Sequence, residues 1–209
     1  MRVRMGRGAF AASLLALMLV GCGSPRLAVG AASQVGVAAL QHRAIGDSLT
    51  DAQIRLRLGA LLLEEHEQLF TSVRSEVVEG RVLLLGRVPL REDKVTVVRL
   101  AWSIGSVREV IDALETVETP RSTTVFKDLR IEGQVALRLL NDIDVRSHNF
   151  NIEAIDGVVH LIGLATTRQE LRRAATLSST VAGVARVVSH VYLTTDPRRL
   201  RHTRPGQPI

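Results

Sequence analysis

Apolar positions along residues 43–195 run through one sequence of periods, and run through it twice. Ile54, Leu58, Leu61 and Leu62 recur at helical spacing, behind Thr50-Asp-Ala-Gln53, which reads as a capping box. Val82, Leu84 and Val88 then alternate with Leu83, Leu85 and Arg87, the period-two signature of a strand. Glu79-Gly80 lies just before that run and reads as a tight hairpin turn. A second helix is expected over 91–103 and a closing strand over 107–117. Seventy-seven residues later the pattern returns: Ile131, Val135 and Leu139 lie one turn apart, Asp156-Gly157 makes the turn, and a helix over 168–180 and a strand over 184–193 follow.

The two runs are an internal repeat that aligns without a gap. Asp51 meets Asp128, Ile54 meets Ile131, Glu76 meets Glu153, Gly80 meets Gly157, Val82 meets Val159, Leu84 meets Leu161 and Gly86 meets Gly163. Each copy is predicted to be α+β with the order αββαβ: a three-stranded mixed sheet with two helices on one face. A hairpin alone is only marginally stable and needs that cover. The first copy is placed at 43–117 and the second at 125–195. Residues 118–124 read as a linker. Residues 196–209, with three prolines among their arginines, read as a disordered basic tail.

The segment before the repeat carries an address. Arg2, Arg4 and Arg7 precede an uncharged apolar run from Ala9 to Val20. That run is shorter than the roughly 20 residues a membrane-spanning helix needs. It ends in Leu19-Val20-Gly21-Cys22, and Cys22 is the one cysteine of the chain. That ending resembles the lipobox of bacterial lipoproteins, which implies that residues 1–21 are a lipoprotein signal peptide and Cys22 the lipidated residue, bearing an N-acyl diacylglycerol group. A plain secretory signal with an incidental cysteine is the alternative. Gly23 onward is rich in Gly, Ala and Ser, so 22–42 reads as a flexible tether. In such lipoproteins an Asp after the cysteine is the common signal for inner-membrane retention, so with Gly at position 23 the resemblance implies the outer membrane, for an enterobacterial-like sorting system.

Composition narrows the function classes. Aromatic residues are 3% of the chain, too few for base-stacking platforms. The formal charge of +6 belongs to the ends: three arginines lie in the leader, and the tail sets Asp196 against Arg198, Arg199, Arg201 and Arg204. The repeated body is then close to neutral, which argues against nucleic acid as a partner. The six histidines show no ligand spacing, and no nucleophile turn or phosphate-binding loop is present. No catalytic, cofactor or metal site is expected. His160 and His190 fall on neighbouring sheet elements, where they are expected to be solvated.

The aligned residues also resemble the BON domain. Asp51-x-x-Ile54 and Asp128-x-x-Ile131 match its first motif. Gly80-x-Val82-x-Leu84-x-Gly86 and Gly157-x-Val159-x-Leu161-x-Gly163 match its second. Gly183-Val184-Ala-Arg-Val187 matches its third, while in the first copy Gly105 comes one place early and Ser106 holds the glycine position. With the lipobox, the tether and Arg43-Ala-Ile-Gly46 leading into the first copy, the chain is similar to dual-BON outer-membrane lipoproteins. The resemblance implies a non-enzymatic protein on the periplasmic side of the outer membrane, associated with phospholipid binding and envelope integrity.

Binding an anionic phospholipid membrane needs cations on an outward surface. The second copy offers Lys127, Arg130 and Arg138 on its first helix and Arg168, Arg172 and Arg173 on its second. The first copy has Arg55, Arg57, Arg91, Lys94 and Arg99, diluted by Glu64, Glu65 and Glu67. The second copy is therefore the expected lipid-facing one. The uncovered sheet faces are the other candidate surface: Val78, Leu83, Leu85, Ile111 and Ala113 in the first copy, Ile155, Ile162, Val188 and Tyr192 in the second. They are expected to bury against each other or, as the alternative, to dock an envelope protein or peptidoglycan. The tail arginines are either solvated or in contact with headgroups or wall polymer.

Overall fold

A computed structural model describes residues 45–117 and 125–200. Cys22, the leader, the tether, the linker and Arg201 onward lie outside the described residues. In the first copy α1 (Ile45–Glu65) and the short α2 (Glu67–Ser72) lead into β1 (Val73–Val78) and β2 (Arg81–Val88). Then come α3 (Arg91–Ser103) and β3 (Glu109–Thr116). The second copy repeats this with α4 (Val125–Leu140), β4 (Phe150–Ile155), β5 (Val158–Ala165), α5 (Arg168–Ser179) and β6 (Arg186–Leu193). Where the first copy has α2, the second has a single 3-10 turn, Ser147–Asn149. Each sheet is mixed: its first two strands pair antiparallel, and the third adds in parallel beside the second.

Both hairpins turn through two consecutive residues of positive φ, Glu79 (55°) with Gly80 (73°) and Asp156 (51°) with Gly157 (77°), the backbone of a type I′ turn. Asp51 explains why an acidic residue recurs at that point of the first helix. It is buried, and its two carboxylate oxygens accept the N–H groups of Glu79 (2.8 Å) and Gly80 (2.7 Å). Asp128 does the same for Asp156 (3.0 Å) and Gly157 (2.9 Å). Thr50 thus lies inside α1 rather than at its start, and the expected capping box is instead part of a tie between helix and hairpin. The second motif glycine is a steric requirement. Gly86 (φ +130°) and Gly163 (φ +149°) sit where a Cβ would drive into the carbonyl oxygens of Ser72 and Asn149.

Helix and sheet share one core per copy. Ile54, Leu58 and Leu62 of α1 meet Val77, Val82, Leu84 and Val88 of the sheet and Val97, Leu100 and Ala101 of α3. Ile131, Val135, Leu139, Ala154, Val159, Leu161 and Ala174 do the same in the second copy. The other sheet faces bury against each other: Val78, Leu83, Leu85 and Ile162 form a third cluster, with Ile111, Ala113 and Ile155 packed on it. β2 is consequently buried along nearly all its length, and the two helix layers face outward on opposite sides of the paired sheets.

The segment expected to be a disordered tail continues past β6 into a 3-10 turn, Pro197–Leu200. Gly183 takes φ +95°, whereas neither Gly105 nor Ser106 has positive φ. The first copy leaves its second helix by a different route, after a helix one residue longer.

Candidate functional site

On α4 the buried residues Asp128, Ile131, Val135 and Leu139 form one line. A second apolar line runs on the far side of the same helix. Phe126 is 87% exposed, Leu129 62%, Leu137 58% and Leu140 67%, and Ile143 just beyond the helix is fully exposed. These residues fall three positions apart or, across Gly133, eight, which keeps them on one side of the helix, and they meet no core. An apolar face of this extent on water is unfavourable by about 25 cal/mol per Å², so it marks a contact surface.

Six cations of the second copy were expected to face lipid, three on α4 and three on α5. Lys127, Arg130, Arg168 and Arg172 are exposed and make no ion pair among the described residues. Arg138 donates to the Thr180 hydroxyl at 2.5 Å, which ties α4 to the end of α5. Arg173 is committed to Asp142 through Nε (2.9 Å) and Nη2 (2.8 Å), and the guanidinium holds the Asp142 carboxyl below its ordinary range. The structure thus brings an apolar stripe and four uncommitted cations to one helix layer. The cations were legible as charges. The stripe was not, because an apolar residue on a helix reads as core until the buried line is known.

The first copy spends its cations differently. Arg55 pairs with Glu76 (3.1 Å). Lys94 pairs with Asp112 (3.2 Å) and donates to the Leu114 carbonyl (2.7 Å), while Asp112 accepts the Leu114 N–H (3.0 Å). Those two side chains cap the free edge of β3 and floor a shallow groove of about 440 Å³ with Arg91, Val95, Val98 and Thr116.

Polar side chains frame the cluster between the copies. Arg74 reaches Glu153 and Glu132 (3.0 Å each), and Asn151 donates to Glu76 at 2.7 Å. Arg74 and Asn151 are equivalent under the repeat, as are Glu76 and Glu153, so one contact is made twice about a pseudo-twofold axis. The turn acids are gripped across the interface too: Asp156 by Arg87, and Glu79 by Arg199 of the 3-10 turn (Nε to Oε2, 2.8 Å). Position 164, equivalent to Arg87, is Leu, and the tail supplies the arginine that it lacks. Tyr192 lies between Arg81 (3.6 Å from ring centre) and Arg198 (4.6 Å), and its hydroxyl donates to Glu109 (3.2 Å).

His160 and His190 approach, as their strand positions allow, with ring nitrogens 3.2 Å apart. His160 is buried rather than solvated, and burial, then His190, Arg186 and Arg74, push its pKa down to about 4. Burial pushes Glu153 up to about 7 against the pull of Arg74, with Glu76 and Glu132 adding to the rise. The sheet faces that the docking alternative relied on are thereby covered. Among the described residues no three potential ligands converge on a metal position, and no helix is long and apolar enough to cross a membrane.

Comparison with known proteins agrees with the duplicated architecture. The BON domain model matches residues 50–118 and again 127–194. An uncharacterized protein of the gshII 5′ region of Anaplasma centrale is 31% identical over 75% of the chain and 98% of its own length. The outer membrane lipoprotein DolP of Haemophilus influenzae is 26% identical over 77% of the chain and 83% of its own length. Osmotically-inducible protein Y of Escherichia coli is 24% identical over 68% and 72%, respectively.

Proposed function

Because the chain belongs to the BON-domain family, we propose that it is a non-catalytic envelope protein, lipid-anchored through Cys22, that rests its second copy on anionic phospholipid and supports outer-membrane integrity. The likeness to an outer membrane lipoprotein supports an envelope address, and the periplasmic side of the outer membrane is the face we propose. The observation that carries the lipid contact is the outward stripe Phe126, Leu129, Leu137 and Leu140, beside the uncommitted Lys127, Arg130, Arg168 and Arg172. Apolar side chains enter the acyl boundary while cations at its rim hold headgroup phosphates, each adding about 1 kcal/mol near an anionic leaflet. Arg138 and Arg173, already engaged, position α4 against α5 and contribute less.

Co-sedimentation with vesicles tests this on the chain without residues 1–22, which keeps every residue of both cores. Binding to phosphatidylglycerol or cardiolipin vesicles, but not to phosphatidylcholine, is expected. Phe126→Asp with Leu137→Asp should abolish it, and a Lys127/Arg130/Arg168/Arg172 quadruple Ala variant should weaken it about a hundredfold or more. Equal binding to neutral vesicles, or full binding by the Asp variant, would end the proposal.

A further inference from the structure

The two outward helix layers are not alike, and their difference is complementary. At the carboxyl end of α1, Leu63 (52% exposed) stands with Phe70 of α2 (47%) among Glu64, Glu65 and Glu67, and Leu56 (77%) lies two turns earlier on the same helix, between Arg55 and Arg57. Glu65 has only Arg99 at 3.9 Å, and Glu64 and Glu67 have no ion pair among the described residues. At the amino end of α4, Phe126 and Leu129 stand among Lys127 and Arg130. The acid of that first turn, Asp128, is spent inward on the hairpin turn.

Both ends run against helix electrostatics. A helix is favoured by cations at its carboxyl end and anions at its amino end, by about 0.3–1 kcal/mol each. α1 has no basic residue in its last turn and ends in glutamates. α4 begins with a lysine and, three residues on, an arginine. Each patch therefore adds side-chain charge to a dipole of the same sign. One is acidic and apolar, its three glutamates set against Arg99, the other basic and apolar, and they lie on opposite sides of the body.

We propose that these patches are partners for one another on different molecules: the α1–α2 end of one chain docks on the amino end of α4 of a second copy. The contact is heterologous, so it leaves one patch of each kind free and propagates head to tail rather than closing a dimer. It uses part of the lipid-facing surface, so an anionic membrane competes with it.

Sedimentation velocity on the chain without residues 1–22 provides the test. The weight-average mass should rise with concentration at low ionic strength and fall back toward the monomer when the Debye length is cut to about 3 Å. A Glu64→Lys/Glu65→Lys/Glu67→Lys variant and a Lys127→Glu/Arg130→Glu variant should each associate about tenfold more weakly or not at all. An equimolar mixture should associate again, because each then offers the charge the other needs. Circular dichroism confirms that both remain folded. A wild-type chain that stays monomeric at every concentration, or a mixture that fails to restore association, overturns the proposal. The lysine variant retains the α4 stripe and its cations, so its vesicle binding should persist. Self-association and lipid binding therefore fail separately.

Discussion

The first copy pairs three of its five helix cations with acids, leaving Arg57 and Arg91 exposed, while only Arg173 of the six in the second is so paired among the described residues. Arg55, Lys94 and Arg99 of the first lie against Glu76, Asp112 and Glu65, and the equivalent positions in the second are Glu132, Leu171 and Thr176. Conversely, the uncommitted Lys127, Arg130 and Arg172 stand where the first copy has Thr50, Gln53 and Val95, and only Arg168 matches an arginine, Arg91. Turn, glycine and core positions agree between the copies because packing dictates them. Outward positions have no packing role, and there the two have become different surfaces on one scaffold.

The largest expected effect tests the shared half of this comparison. Gly86→Ala and Gly163→Ala each force a side chain into a backbone carbonyl at a positive φ, and each should cost about 4 kcal/mol or more. Amide exchange should show the substituted copy opening first. A copy that tolerates its alanine would not share the scaffold argued above.

Next come Asp51→Ala and Asp128→Ala, which strand two turn N–H groups apiece and should cost about 2–4 kcal/mol in urea unfolding, alike in both copies.

Arg199→Ala should cost about 2–3 kcal/mol, because Glu79, 4% exposed, loses its cross-copy partner. A melting temperature unchanged by that substitution would make the tail an appendage after all.

The smallest effects are on pH dependence, and they have opposite signs. His160, held to about 4 against an ordinary 6.5, stays neutral in the folded chain, so stability falls as pH drops from 6.5 toward 4. Glu153, pushed up to about 7 from an ordinary 4.5, contributes stability that is present below 4.5 and lost as pH rises through 7. His160→Phe should remove the acid-side loss and Glu153→Gln the neutral-side loss, each on the order of 2 kcal/mol, in denaturant midpoints measured from pH 4 to pH 8.

Much of the fold was legible because its constraints are local. Positive φ selects Gly80 and Gly157, period two marks β2 and β5, and the exact repeat made each copy a check on the other. What was not legible depends on the third dimension. Asp51 read as the second residue of a capping box, since spacing along the chain says nothing of a hairpin 28 residues away. Arg138 and Arg173 read as free cations, because Thr180 and Asp142 come within reach only after α4 packs on α5. α2 escaped notice because six residues are too few to show a period. For the site, sign and sidedness of charge were available in the sequence. The outward apolar line of α4 was not, although two apolar lines on opposite sides of one helix are a usable signal once Asp128 is recognised as buried.

The cluster between the sheets is thin, four buried side chains with three more against it. Between separate molecules this apolar part would hold weakly, even with the ion pairs that frame it. Here it closes within one chain, across residues 118–124, and a short connection acts as a local concentration of millimolar order. Duplication thus turned a weak pairwise affinity into a permanent joint without enlarging it. The same arithmetic makes the joint reversible: cut between the copies, the halves should part on dilution and find each other again when concentrated.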